Sequence, residues 1–298
     1  MQIRNVTVCG SGVLGAQIAF QTAFHQFEVV VYDISNEQLE KLKTRFQQLS
    51  EAYQKDLNAT QQALDAAVAR ISCSTDLSEA TKDADLVIEA IPENVQIKKD
   101  FYMQLGNVAP AKTIFCSNSS TLLPSQFAQE TGRPERFCAL HFANNIRTRN
   151  TAEIMGHAGT DPKVFNSVVD FAKAIGMIAL PIHKEQPGYI LNSLLVPFIN
   201  AGMELYVNGV AEPHTIDKTW MKATGAPRGP FGICDAIGMN TLYNVFKMAA
   251  DKGGEQAQKV VQVLQEKFID KGKLGVQTGE GFYTYPNPAY ESANFLKQ

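Results

Sequence analysis

The chain alternates short apolar runs with longer amphipathic or polar stretches. Residues 3 to 9, IRNVTVC, are apolar and rich in β-branched side chains; GSGVLG follows, then the amphipathic stretch AQIAFQTAFHQF and a second apolar run, EVVVYD. This order predicts strand, glycine turn, helix and strand. Apolar residues at every position, rather than every second one, indicate strands buried on both faces, as in a parallel sheet covered by helices. A polar helical region then reaches Ile71, expected to form two helices broken near Asn58 and too polar to join a core. Strand signals return as DADLVIEAIPEN, followed by a helix over about 96–107, the run KTIFCSNSS, a helix starting near Leu123-Pro124, then RFCALHF, TAEIMG, a helix over about 161–175, and GMIALPI. The alternation predicts an α/β fold with an open, mostly parallel sheet. Beyond HKEQPG no comparable strand signal occurs, and LNSLLVPFINAGMELYVNGV begins an all-helical C-terminal domain. The expected division is 1–184 and 185–298.

A length of 298 residues suits two domains. With 27 basic and 30 acidic residues, a net charge of −3 and no Lys/Arg block, the chain is not built to hold nucleic acid or an anionic membrane. A small molecule is the expected partner. The N-terminus lacks a signal-peptide layout, and no other stretch is expected to approach the ~20 apolar residues of a membrane span, so a cytoplasmic location is expected. The five cysteines, Cys9, Cys73, Cys116, Cys138 and Cys234, have no C-x-x-C spacing. They are expected as buried reduced thiols, with no metal site.

Gly10-Ser11-Gly12-Val13-Leu14-Gly15 is a G-x-G-x-x-G string placed directly after a strand and opening a helix. The first glycine permits a tight turn, the second lets the backbone approach a pyrophosphate, and the third allows close helix–strand packing. Free N–H groups at the helix start then hold the anion. Asp33 ends the second strand eighteen residues after Gly15, near the ~20 expected for the acid that binds the adenosine ribose. Its carboxylate repels a 2′-phosphate, and Ile34, Ser35 and Asn36 offer no arginine to pair with one. NAD(H) is therefore predicted over NADP(H).

A dehydrogenase acting on an alcohol needs a base near neutral pH. Of five histidines only His141, at the end of FCALHF, lies at the carboxyl end of a sheet strand, where this architecture binds ligands. Glu153 follows twelve residues later in TAEIM. If the connection brings the two strands together, the carboxylate orients the imidazole and stabilises its charged form.

FCSNSSTL, ERFCALHFANN, a Glu twelve after the His, PGYILNSLLVP, GAPRGPFGICDAIGMNT and TGEGFYTY, in that order along nearly the whole chain, resemble the L-3-hydroxyacyl-CoA dehydrogenase (3-hydroxybutyryl-CoA dehydrogenase) family. The resemblance implies a Rossmann-type N-terminal domain, a helical C-terminal domain that makes a homodimer, and NAD-linked interconversion of a 3-hydroxyacyl-CoA and a 3-ketoacyl-CoA, on short chains such as acetoacetyl-CoA. It implies His141 as base, Glu153 as its carboxylate, Ser120 as the hydroxyl at the substrate oxygen and Asn192 as an amide on the substrate carbonyl. It also places Glu93, Lys98 and Asn144 in the cofactor site. Ser120 and Asn192 have the donors needed where an oxygen gains negative character.

Several positions depart from the family pattern. H-F-F-N-P becomes His141-Phe142-Ala143-Asn144-Asn145, which removes a φ-fixing proline; IRTRNT introduces Arg147 and Arg149; Ser193 and Gln277 stand where the family has Arg and Lys. Arg147 or Arg149 is expected to bind an anionic substrate group, a carboxylate or a CoA phosphate. Two other functions remain open on these grounds: a dehydrogenase of a free small hydroxy acid, sugar-acid or carnitine-like, and an NAD-binding protein without turnover.

Overall fold

The structure, a computed structural model, describes residues 3–297. The chain divides into two compact units, one ending at Leu191 and the other starting at Asn192. The first contains β1 (Asn5–Cys9), α1 (Val13–Phe24), β2 (Glu28–Tyr32), α2 (Asn36–Leu57), α3 (Gln61–Ala69), β3 (Ile71–Ser74), α4 (Leu77–Thr81), β4 (Leu86–Glu89), α5 (Val95–Val108), β5 (Ile114–Ser117), β6 (Phe137–Phe142), β7 (Thr151–Met155), α6 (Pro162–Ala174) and β8 (Ile178–Ile182). The sheet order is β3-β2-β1-β4-β5-β6-β7-β8. All pairings are parallel except β6–β7, which is antiparallel.

The unbroken apolar strand sequences follow from burial on both faces. In β4, Leu86 and Ile88 join the cluster holding Ile18, Phe20 and Leu140, whereas Val87 joins Tyr102, Phe115 and Phe137 on the other side. Each such fully buried side chain contributes about 1.5–3 kcal/mol relative to exposure. The α1–β2 connection needs no long loop, because the helix packs back on the strands that flank it.

Four expectations are corrected here. The region before Ile71 does reach the core: α2 buries Leu42, Phe46 and Tyr53 along one stripe and α3 buries Leu64 and Ala67, while the other faces stay polar. Its end forms β3, whose ISCS sequence is weakly apolar because it is an edge strand paired only with β2. The helix expected near Leu123 is only a 3-10 turn, Pro124–Gln126. Four cysteines are buried, but Cys73, on β3, is exposed.

The second unit is helical: α7 (Tyr189–Val207, beginning three residues before the division), α8 (Pro213–Thr224), α9 (Pro230–Ile237), α10 (Met239–Ala250) and α11 (Glu255–Lys267). By length and composition alone α7 could cross a bilayer, contrary to expectation. Asn192, Asn200 and Glu204 break its apolar run, so its length and mean hydropathy do not stand out in the sequence. Its Ile199 and Met203 lie in the helical core with Phe231 and Leu264. The TGEGFYTY segment is pinned to this core by two buried aspartates. Asp217 accepts the N–H groups of Phe231 and Gly232 and the Tyr283 hydroxyl, and Asp235 accepts those of Phe282 and Tyr283 and the Tyr285 hydroxyl. A Cβ on Gly281 would sit 2.2 Å from Asp235 Oδ1, so only glycine fits. Burial lifts both carboxyls above their ordinary range.

Candidate active site

The turn after β1 is shaped by its glycines. Gly10 has φ +107°, and a Cβ there would lie 2.4 Å from the Ala90 carbonyl oxygen; a Cβ on Gly15 would lie 1.9 Å from that of Gly10. Gly12 differs, because nothing lies within 4 Å of where its Cβ would be. It is the N-cap of α1, in extended backbone, without a side-chain cap and with no acid in the first turn. The helix start is therefore bare on the side an anion approaches, with Val13 exposed and Leu14 partly buried behind it. Ser11 donates from N and Oγ to Asp33 Oδ2 at 2.8 and 2.6 Å, and Ser35 N donates to Oδ1 at 3.2 Å. Arg45 of α2 donates to the Ser11 carbonyl. The glycine turn and the strand-end acid are thus one rigid unit, and they fit a dinucleotide with free ribose hydroxyls.

His141 and Glu153 are direct partners across the antiparallel β6–β7 pair. That register, set by the connection between them, brings Nδ1 to 2.9 Å from Glu153 Oε2, with the residues 6% and 3% exposed. An ionised carboxylate only accepts, so Nδ1 carries the proton and Nε2 is the acceptor. Ser120, on the loop after β5, places Oγ 3.2 Å from Nε2 and donates to it. The Tyr189 ring lies against the imidazole, centroids 4.7 Å apart. Glu153 Oε1 accepts the N–H groups of Ile190 and Leu191 at 2.8 and 3.0 Å, the first-turn donors of α7. Burial opposes the charge on Glu153, but His141 and these two N–H groups outweigh it and hold the carboxyl below its ordinary range. Tyr189 enters the helix at φ +58°, a conformation bulky residues rarely adopt, and this turns the two N–H groups toward the carboxylate.

Glu93 and Lys98 also meet. Lys98 Nζ lies 3.3 Å from Glu93 Oε2, and Glu93 Oε1 accepts from Ser119 Oγ, Thr121 Oγ1 and the N–H groups of Ser120 and Thr121. Burial again opposes the charge on Glu93; the hydroxyl donors and Lys98 lower its pKa in spite of it. Asn118 ties the same loop to β6, its Oδ1 accepting from Phe142 N at 3.0 Å. Asn144 is exposed on the loop after β6. Asn192 follows Leu191 along α7 as the first residue of the second unit.

The loop carrying the departures has its own anchors. Asn145 adopts φ +64°, which proline cannot, and Gln17 Oε1 of α1 accepts the N–H groups of Asn145 and Ile146. Arg147 does not stand free for an anion: its Nη2 and Nε both lie 2.6 Å from Asp56 Oδ2 on α2. Arg149 is exposed. The sequence reading did not single out Glu89, Tyr102, Ser117, Asn118 or Tyr189. An acid inside the apolar run LVIEA was the one available signal, for Glu89.

The 3-hydroxyacyl-CoA dehydrogenase NAD binding domain matches residues 5–186, and the 3-hydroxyacyl-CoA dehydrogenase C-terminal domain matches residues 188–285. The mitochondrial hydroxyacyl-coenzyme A dehydrogenase of Homo sapiens is 33% identical, over 95% of this chain and 91% of that protein. A probable 3-hydroxybutyryl-CoA dehydrogenase of Bacillus subtilis (strain 168) is 32% identical, over 96% of this chain and 98% of that protein. Among solved structures, a diketoreductase described as acting on dicarbonyl compounds is 53% identical with a TM-score of 0.92, covering 96% of this chain and 100% of its own.

Proposed function

The chain belongs to the 3-hydroxyacyl-CoA dehydrogenase family, and from that premise we propose that it interconverts a short-chain 3-oxoacyl-CoA, such as acetoacetyl-CoA, and its L-3-hydroxyacyl-CoA with NAD(H). The observation that carries the reading is the Glu153–His141–Ser120 line, which leaves one imidazole nitrogen aimed at a hydroxyl beside the carboxyl ends of the parallel strands.

Bound NAD(H) supplies the hydride acceptor or donor. Gly10 to Gly15 would receive its pyrophosphate, Asp33 its adenosine ribose hydroxyls, and Glu93, Lys98 and Asn144 would hold its nicotinamide end. In reduction, His141 Nε2 gives its proton to the oxygen at C3 of the substrate; in oxidation it takes that proton back. Glu153 keeps the proton of Nδ1 in place and stabilises the imidazolium through its charge. Ser120 turns its hydroxyl from Nε2 to the same substrate oxygen, and the Asn192 amide binds the neighbouring carbonyl. The chain assembles as a homodimer through exposed apolar residues of its helical unit, such as Leu194 and Leu205 of α7, which light scattering measures.

A second reading is supported by the 53% identity to the diketoreductase and by the altered loop, where Asn145 is left-handed and Arg147 is bound to Asp56. In this reading the substrate is a dicarbonyl compound without CoA. Both readings require a ketone near a second carbonyl. NADH oxidation with acetoacetyl-CoA, acetoacetate and an acetoacetate ester, each repeated with NADPH, separates them. Turnover with the thioester supports the first, and turnover confined to the other two compounds overturns it in favour of the second.

A further inference from the structure

Glu89 ends β4, is fully buried, and has no part in the reaction as described. Its carboxylate is nonetheless saturated with donors. Oε1 accepts from Lys98 Nζ at 2.5 Å and Ile91 N at 3.0 Å; Oε2 accepts from Ser117 Oγ at 2.8 Å and the Tyr102 hydroxyl at 3.0 Å. Lys98 is itself 1% exposed, so its ammonium is shielded from bulk water. The position of its ammonium is set by Glu89 at one end, and at the other it reaches Glu93 Oε2. From the Ser119–Thr121 turn, Glu93 accepts the N–H groups of Ser120 and Thr121 and the hydroxyls of Ser119 and Thr121. Ser120 Oγ, on that turn, meets His141 Nε2. Contacts therefore run without a break from the buried end of β4 to the catalytic imidazole.

A buried ion pair contributes little net stability compared with apolar residues of the same shape. A fully satisfied polar network does fix geometry. We propose that Glu89 is a positioning residue: acting through Lys98 and Glu93, it sets the Ser119–Thr121 turn and so aims the Ser120 hydroxyl at His141. This rests on the catalytic reading above, and it concerns a residue that touches neither substrate nor cofactor in that reading.

The test is a double-mutant cycle. Glu89→Gln keeps the shape and removes the charge; Tyr102→Phe removes one donor and leaves the ion pair. Each is made in the native chain and in Ser120→Ala, and kcat, KM and NADH affinity by fluorescence are measured for all. In the native background Glu89→Gln lowers kcat by about 10- to 100-fold, the scale of a displaced reacting group; NADH affinity is followed beside it, because Lys98 and Glu93 also belong to the cofactor site, and a loss of affinity larger than the loss of kcat overturns the proposal. In Ser120→Ala the same change lowers kcat by less than about twofold, because the group it aims is gone. Tyr102→Phe, the gentler change, shows the same dependence on Ser120 and decides the matter if Glu89→Gln does not fold. Equal losses in both backgrounds, or no loss in a folded variant, overturn the proposal. His141→Ala serves as control: if it keeps full turnover, the catalytic reading itself fails, whereas an additive cycle beside an inactive His141→Ala removes the Glu89 role alone.

Discussion

Replacing Glu153 by Gln separates two accounts of that residue. The carboxylate accepts from three donors: Nδ1–H of His141 at 2.9 Å and the N–H groups of Ile190 and Leu191 at 2.8 and 3.0 Å. A glutamine has one oxygen and one NH2. The two backbone donors both approach Oε1, so the amide oxygen must take that place, and the NH2 then faces Nδ1. An NH2 there can only donate, which drives the ring proton to Nε2 and leaves no acceptor facing Ser120. If Glu153 contributed only one ordinary hydrogen bond, about 1 kcal/mol, kcat would fall about fivefold. Loss of the correct tautomer and of the carboxylate charge removes the acid–base device, so kcat is expected to fall about 100- to 10,000-fold, or about 2.7–5.5 kcal/mol. The number of hydrogen bonds is conserved, so the fold and the substrate KM are expected to change little. The assay is NADH absorbance loss with acetoacetyl-CoA, beside circular dichroism of the purified variant. A folded Glu153→Gln with kcat reduced fivefold or less would refute the tautomer argument.

Three further outcomes are expected. Asp33→Ala, which frees Ser11 and removes the carboxylate, lowers kcat/KM for NADH by about 10- to 100-fold, the worth of hydrogen bonds to a charged group, and narrows the preference over NADPH in steady-state kinetics. Arg147→Gln leaves the KM for acetoacetyl-CoA within about twofold, because Asp56 already engages that guanidinium, and the partly exposed pair contributes no more than about 1 kcal/mol to a thermal melt. The two units respond oppositely to acid. Glu153 and Glu93 have lowered pKa values, so their stabilisation holds above the ordinary carboxylate range and is lost as pH falls through their folded values. Asp217 and Asp235 have raised values, so the stability they lend is present below that range and is lost as pH rises through their folded values. Hydrogen exchange on mild acidification should deepen protection around Asp217 and Asp235, and protection around Glu153 should decline only at lower pH.

Much of the candidate site's geometry was legible where it is local or periodic. The glycine turn needs residues 10 to 15 and a strand before them, and His141 and Glu153 sit at a spacing that an antiparallel β6–β7 connection closes. What escaped has physical reasons. In α2 the buried residues Leu42, Phe46 and Tyr53 are few among polar neighbours, so average polarity hides the stripe that packs on the sheet. The β3 sequence is weak because edge strands need not be apolar. Leu123-Pro124 reads as a helix start, yet the chain makes a single 3-10 turn there. Glu89, Tyr102 and Ser117 lie on three different elements, and Arg147 meets Asp56 from 91 residues away. Neither association leaves a local spacing to read. The loop after His141 shows the reverse: the absent proline at position 145 signalled a changed path, and Asn145 takes the left-handed conformation that proline would forbid.

The central claim is that the His141 imidazole moves the proton at the substrate oxygen. Single-turnover NADH oxidation by His141→Ala, with saturating acetoacetyl-CoA and with NADH binding checked by fluorescence, tests it directly. The account predicts retained NADH binding and a chemical step slower by at least about 100-fold; a folded variant that oxidises NADH at the native rate would contradict it.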